Sequence, residues 1–97
     1  MHKFQCTFHL HNEQNEAFWA IIPAHRRHIN QLMNDEVIVT YAINRSKTKG
    51  WLVINAANIQ EVRLLIESFP IRPFMRFEVE ELFIFDSMIG APRLILN

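Results

Sequence analysis

The residue whose type and position best suit proton-transfer chemistry in this sequence is His25. It occupies the missing slot on an apolar helical stripe that begins at Phe18 and continues at Ile22 and Ile29, and Pro23 precedes it by two residues. An imidazole at a seam between helix and sheet is partly dry, so its pKa can move across neutrality. His25 is therefore a candidate general acid or base for a small enolisable substrate. The alternative is a structural histidine at the edge of the core, hydrogen-bonded to a backbone carbonyl.

The other histidines raise the question of a metal site. His28 lies three residues after His25, on the same side of the predicted helix, and His9 and His11 share one face of a predicted strand. No Glu or Cys falls at a recognised ligand spacing from these histidines. We therefore expect neither a metal ion nor another cofactor, and we take His28 as a candidate substrate contact.

Arginine and aromatic side chains supply candidates for binding a carboxylated substrate. Arg72 is the best placed arginine, because it lies in a loop bracketed by two prolines beside the last predicted strand. Tyr41 and Trp51 are candidates for the lining of a small pocket, although aromatic strand residues are more often part of a core. The remaining cations of interest are expected on a solvated helix face and a hairpin tip: Arg26, Arg27, Arg45, Lys47 and Lys49.

The composition indicates one small domain with no long-range attraction for polyanions. The 97 residues suit a single domain over 1–97, with a core over 3–86 and a C-terminal tail over 87–97. Ten basic and ten acidic residues cancel, which argues against partners such as nucleic acid or an anionic membrane surface. The single cysteine, Cys6, excludes an internal disulfide framework and favours a cytoplasmic location, and we expect it to be an inert buried thiol.

Hydropathy patterns predict four strands and two helices in the order βαββαβ. The strands are predicted over 3–10, 36–43, 51–56 and 75–85. Asn12 or Asn15 is expected to cap the first helix, and Pro23 to kink or break it. Asn58, with Glu61 three residues later, begins the second helix. This order predicts an α+β fold of ferredoxin-like type, a four-stranded antiparallel sheet with two helices on one face.

The second face of that sheet predicts self-association. Two helices cover only one face, and the other should be polar if it met water. The last predicted strand ends at 82–85 in apolar residues with no polar alternation, and the second and third strands carry apolar residues on both faces. Because an open apolar sheet is prone to aggregation, we expect a homodimer or higher oligomer that packs sheet against sheet. The alternative cover is the chain's own C-terminal tail.

Two short motifs resemble known families. Residues 69–75, Phe-Pro-Ile-Arg-Pro-Phe-Met, resemble the Pro-x-x-Pro-aromatic-Met loop of muconolactone isomerases, and the strand start at Gly50 and the helix at Asn58 follow that family's order. Residues 23–25, Pro-Ala-His, resemble the Pro-Ala-His of YciI-like proteins. Both families belong to the dimeric α+β barrel group, so the resemblance, over about residues 3 to 86, implies two ferredoxin-like protomers packed sheet to sheet.

The same resemblance implies an activity but not a complete site. Similarity to muconolactone isomerases implies cofactor-free proton transfer on a lactone or carboxylated metabolite. His25 is our candidate acid or base for it, although the first helix departs from that family at His25 and its two neighbouring arginines. YciI-like proteins carry a Gly-Pro near the acid partner of their histidine, whereas residues 41–44 here are Tyr-Ala-Ile-Asn, without a carboxylate. A His–Asp dyad therefore does not carry over. The alternative function is a non-catalytic homo-oligomeric protein that binds small molecules or serves as an accessory subunit.

Overall fold

The computed structural model of the chain describes residues 2–11 and 14–88. The elements are β1 (His2–Leu10), α1 (Glu16–Asn34), β2 (Ile38–Ile43), β3 (Lys49–Ala56), α2 (Ile59–Glu67) and β4 (Met75–Glu81), with a short 3₁₀ turn at Arg72–Phe74. The strands form one antiparallel sheet in the order β2-β3-β1-β4. This arrangement confirms the predicted ferredoxin-like fold.

The core lies between the sheet and the two helices, and β1 shows why the sequence folds this way. Its residues alternate between buried and partly exposed, and the buried set is Phe4, Cys6, Phe8 and Leu10. The helices bury one stripe each, with Phe18, His25 and Ile29 from α1 and Val62 and Ile66 from α2. Burial also raises the pKa of the Cys6 thiol to about 12, as expected of an inert thiol.

Asparagine side chains start both helices. Asn15 Oδ1 accepts the backbone N–H of Phe18 at 3.1 Å, and Asn58 Oδ1 accepts that of Glu61 at 2.9 Å, which satisfies donors that have no partner within the helix. The other capping candidate for α1, Asn12, lies outside the described residues. Contrary to a predicted break, α1 runs unbroken through Pro23. Its buried side chains on either side hold the helix against the sheet.

The boundaries of the strands differ from the prediction where the pattern was least regular. β2 begins two residues later and β3 two residues earlier than predicted, and β4 ends at Glu81 rather than at residue 85. Residues 82–85 therefore do not extend the sheet, and Phe83 and Ile84 are exposed. Most of the predicted tail, including its apolar end at 94–96, lies outside the described residues. No helix in the described ranges is long and apolar enough to cross a membrane.

The sheet face opposite the helices, called the outer face below, is more polar than the sequence predicts. Cross-strand register places its side chains in rows: Lys49, His9 and Arg76; then Trp51, Thr7 and Glu78; then Val53, Gln5 and Glu80. The outer face is therefore less apolar than expected, because the apolar run at 82–85 lies beyond β4 and β4 itself alternates. Among the described residues, its central apolar side chains include Trp51, its β2 partner Ala42 and the buried Val53.

Gly50 is required by the close packing of an aromatic ring over β3. A Cβ atom added there would lie 2.6 Å from Cε1 of Phe8, and closer still to Cζ, so no larger residue fits without moving the ring. Phe8 in turn lies beside Tyr41, with the ring centroids 5.9 Å apart. Gly50 thereby sets the place of two aromatic rings that come from β1 and β2, the strands on either side of β3.

Replacing Gly50 tests this packing. Gly50→Ala should lower the free energy of unfolding by about 1–3 kcal/mol, because the added methyl group overpacks the Phe8 ring. Urea unfolding of the single variants Gly50→Ala and Phe8→Leu and of the double variant measures the coupling. We expect the alanine to cost markedly less when a leucine side chain replaces the Phe8 ring. An equal cost in both backgrounds would contradict the packing argument.

Candidate functional site

A cleft of about 340 Å³ opens between α1 and the hairpin that joins β2 to β3. Its apolar walls are formed by Leu10, Phe18, Trp19, Ile22, Ile43 and Ile71. Its polar groups are His25, Tyr41 and Asn44, together with the cations Arg26, Arg45 and Lys47. None of the described residues that line the cleft carries a carboxylate. Such a lining favours a small ligand with an apolar body and a negative charge.

Hydrogen bonds fix the rim of the cleft. The indole Nε1 of Trp19 donates to the carbonyl of Gln14 at 3.1 Å, and the Gln14 amide donates to the carbonyl of Lys47 at 2.6 Å. Within the hairpin, Asn44 Oδ1 accepts the backbone N–H groups of Thr48 and Lys49. The start of α1 and the hairpin turn are thus connected, so the cations of the hairpin are held near the helix.

His25 and Tyr41 form the central polar contact of the cleft. His25 is only 1% exposed, and its Nε2 lies 2.9 Å from the Tyr41 hydroxyl oxygen, so one of these two groups donates to the other. The edge of its ring meets Phe69 at a centroid distance of 5.7 Å. His25 Nδ1 is buried and has no hydrogen-bond partner among residues 2–11 and 14–88. Within the described residues, the His25 ring therefore depends on one hydrogen bond, whereas Tyr41 also lies beside the Arg26 guanidinium.

Burial keeps both members of this pair neutral. It lowers the pKa of His25 to about 4, and the positive charge of Arg26 and then that of His28 add to the effect. Burial raises the pKa of Tyr41 to about 12, against the opposing effect of Arg26. The Arg26 guanidinium lies 5.4 Å from the centroid of the Tyr41 ring. At neutral pH an uncharged imidazole and an uncharged phenol thus share one hydrogen bond beside a cation.

The structure brings two of the five predicted site residues together and places three outside the cleft. His28 Nε2 lies 3.3 Å from Ser68 Oγ, and Trp51 lies on the outer face with the Lys49 ammonium 5.5 Å from its ring centroid. Arg72 donates to Glu67 Oε1 at 2.9 Å and to the carbonyl of Met75 at 2.8 Å. None of the three lines the cleft. Their contacts with a substrate therefore stay predictions that this cleft does not support.

The cations that do line the cleft are ones that sequence analysis assigned to solvated surfaces. Arg26 follows Ile22 by four residues, so the two lie side by side on α1, and this spacing was a usable signal. Arg45 and Lys47 carried no such signal, because their position depends on how the hairpin packs against the helix. Trp19, a cleft wall that is 47% exposed, was also missed.

Comparison with known proteins supports the fold. No family model and no curated protein matches this chain. The structure of 5-chloro-2-hydroxyhydroquinone dehydrochlorinase (TftG) from Burkholderia phenoliruptrix AC1100, in complex with 2,5-dihydroxybenzoquinone, is similar with a TM-score of 0.70 and 15% identity over 82% of this chain and 92% of that one. MtbAldR matches with a TM-score of 0.51 and 13% identity over 92% of this chain and 58% of that one.

These similarities show a shared architecture and leave the specific family open. Both identities are too low to transfer an activity, since one fold hosts many chemistries. The match to TftG agrees with the ferredoxin-like fold that the sequence predicts. Membership of the muconolactone isomerase-like or YciI-like families stays a prediction.

Proposed function

We propose that this chain is a small-molecule enzyme that moves a proton on a lactone or carboxylated metabolite, a reaction resembling that of muconolactone isomerases. The observation that carries the proposal is the 2.9 Å contact between His25 Nε2 and the Tyr41 hydroxyl at the wall of the cleft. Two neutral groups that share a hydrogen bond can accept and return a proton without a cofactor.

In this proposal the cations of the cleft bind the negative end of the substrate. Arg26 is the main contact, because it lies next to Tyr41, and Arg45 and Lys47 add positive charge from the hairpin. The apolar walls hold the body of the substrate and exclude water, which strengthens the charge interactions inside. A cation beside Tyr41 also stabilises the enolate that forms when a carbon next to a carbonyl loses its proton.

Tyr41 is the group that meets the substrate, and His25 acts through it. The Tyr41 oxygen takes the proton from the substrate carbon while the Tyr41 proton passes to His25 Nε2. Because the pKa of His25 is lowered to about 4, the imidazolium readily returns its proton through Tyr41 to a second carbon. The atoms and charges then balance as in an isomerisation, and the enzyme regains its neutral pair.

The TftG complex supports the part of the proposal that the ligand is a small molecule. That enzyme of the same fold holds a small oxygenated ring, 2,5-dihydroxybenzoquinone. A cleft of about 340 Å³ accommodates a molecule of similar size.

A second candidate function is binding without catalysis, and the burial of His25 favours it. An imidazole that is 1% exposed cannot itself touch a ligand, so the pair could serve only to hold the Tyr41 hydroxyl in place. In that case the chain is a homo-oligomeric small-molecule-binding or accessory protein. Proton exchange, rather than binding, separates the two functions.

The test is exchange of substrate protons with solvent deuterium, followed by NMR across a panel of small lactones and carboxylic acids. A compound is first selected by a thermal shift of the wild type. We expect Tyr41→Phe and His25→Gln to slow its exchange by about 10²–10⁴-fold, because each removes a proton-transfer group. Arg26→Gln should instead weaken binding.

The matched control is Arg63→Gln, which removes an equal charge from an exposed position on α2 and should leave exchange and binding unchanged. Full exchange in Tyr41→Phe would refute the proposed mechanism. Tight binding without exchange in the wild type would establish the non-catalytic function instead.

We also propose that the chain self-associates through the outer face. The partly exposed Trp51 gives that face an apolar centre next to the buried Val53, and the polar side chains on either side resemble the rim of a protein interface. A second copy packed sheet to sheet would cover Trp51, and the two sheets would together form a barrel.

Sedimentation equilibrium tests this self-association. The wild type should be a dimer or larger at micromolar concentration, and Trp51→Lys should shift it towards monomer by placing an unpaired charge in the interface. Leu64→Lys, at a side chain on α2 that is 74% exposed, is the control and should not change the assembly. A monomeric wild type would contradict the proposal.

A further inference from the structure

A row of cationic and titratable side chains crosses the outer face at one end of the sheet. Lys49 and Arg76 are the direct cross-strand partners of His9, one on each side, so the three side chains stand next to one another on adjacent strands. Neighbours in such a row are about 5 Å apart, so Lys49 and Arg76 stand on either side of the His9 ring. A negatively charged group over His9 would lie within reach of both cations.

The backbone around this row is held firmly. The N–H of Leu10 donates to the carbonyl of Thr48, and the N–H of His11 donates to that of Phe74, both at 2.9 Å. The end of β1 is thereby tied to the chain on either side of it. The three strands therefore present their side chains in a fixed register rather than as independent surface residues.

These side chains border a depression of about 350 Å³ that is separate from the proposed active site. Its lining is His9, Leu10, His11, Thr48, Lys49 and Arg76, with no carboxylate among these described residues. It opens at the end of the sheet beside the outer-face row, whereas the cleft of His25 opens on the helix side, and Leu10 lines both.

The charges around the depression are only partly compensated within the described residues. His9 Nε2 donates to Glu78 Oε1 at 3.3 Å, and the Lys49 ammonium lies over the Trp51 ring. Neither Lys49 nor Arg76 has a carboxylate within 4.0 Å in the described ranges. Glu78 belongs to the next row of the outer face and does not line the depression.

We propose that this row binds a phosphate group, either free or as part of a phosphorylated metabolite. A tetrahedral oxyanion presents oxygens in several directions, so the Arg76 guanidinium and the Lys49 ammonium can donate to it from the strands on either side of β1. The His9 ring can join them when its hydrogen bond to Glu78 opens. A planar carboxylate has only two oxygens and cannot meet three donors spread over three strands as well. The site goes beyond the proposed proton transfer and stands on different residues.

The test is a titration followed by backbone amide shifts in ¹H–¹⁵N NMR spectra, with inorganic phosphate in one arm and glycerol 3-phosphate in the other, against sodium chloride at matched ionic strength. We expect saturable shifts at the amides of His9, Lys49 and Arg76 in at least one phosphate arm. The arm with the tighter binding identifies the source of the phosphate. Arg76→Gln and Lys49→Gln should each weaken binding by about tenfold.

Arg63→Gln is again the control, because it removes a cation from α2, and it should bind phosphate as the wild type does. Shifts that follow chloride equally well, or equal loss in Arg63→Gln, would overturn the proposal in favour of general ionic screening. So would variants that bind phosphate normally but sediment as smaller assemblies, since the row would then serve contacts between copies. Because proton exchange depends on the other face, failure of either proposal leaves the other intact.

Discussion

The structure has to accommodate one polar group whose burial costs free energy, the imidazole of His25 between α1 and the sheet. A neutral ring there loses its hydration, and this loss is acceptable only where the protein supplies hydrogen bonds in return. The Tyr41 hydroxyl supplies one of them at 2.9 Å, whereas Nδ1 has none among the described residues. The position of Tyr41 is therefore a requirement of His25, and the strand that carries Tyr41 must present it to the helix side.

Several local features meet this requirement. A bulge between Ile38 and Thr40 shifts the register of β2, so that Ile38 and Tyr41 both face the helices although they lie three positions apart in the sequence. The Phe8 ring, which lies over Gly50, packs against the ring of Tyr41. The buried pair thus rests on three strands and one helix, and a change in any of them alters the pair.

The sequence was sufficient to predict the fold because its regularities are local. The alternation of apolar and polar residues predicted β1, and the positions of Asn15 and Asn58 predicted the starts of both helices. The end of β4 was not predictable from hydropathy, because residues 82–85 are as apolar as a strand and only pairing shows that they lie beyond it. That error made the outer face of the last strand look more apolar than it is.

The site was harder to predict, since its key contact joins residues 16 positions apart. His25 and Tyr41 were both recognised as candidates, but nothing in the sequence indicated that the Tyr41 hydroxyl is the hydrogen-bond partner of His25. The bulge in β2 is invisible to a period-two pattern, and it decides which face Tyr41 occupies. Arg45 and Lys47 reach the cleft only through the packing of the hairpin against α1.

The central claim, that His25 is a buried neutral imidazole bound to Tyr41, is tested most directly by its own titration. Long-range ¹H–¹⁵N NMR spectra of the histidine side chains, recorded from pH 8 to pH 4, report the protonation of each ring. We expect His25 to stay neutral far below the usual histidine pKa of about 6.5 and to take up a proton only near pH 4. The reason is that protonation would place a charge in the core beside Arg26. A His25 ring that titrates near pH 6.5, as an exposed histidine does, would contradict this expectation.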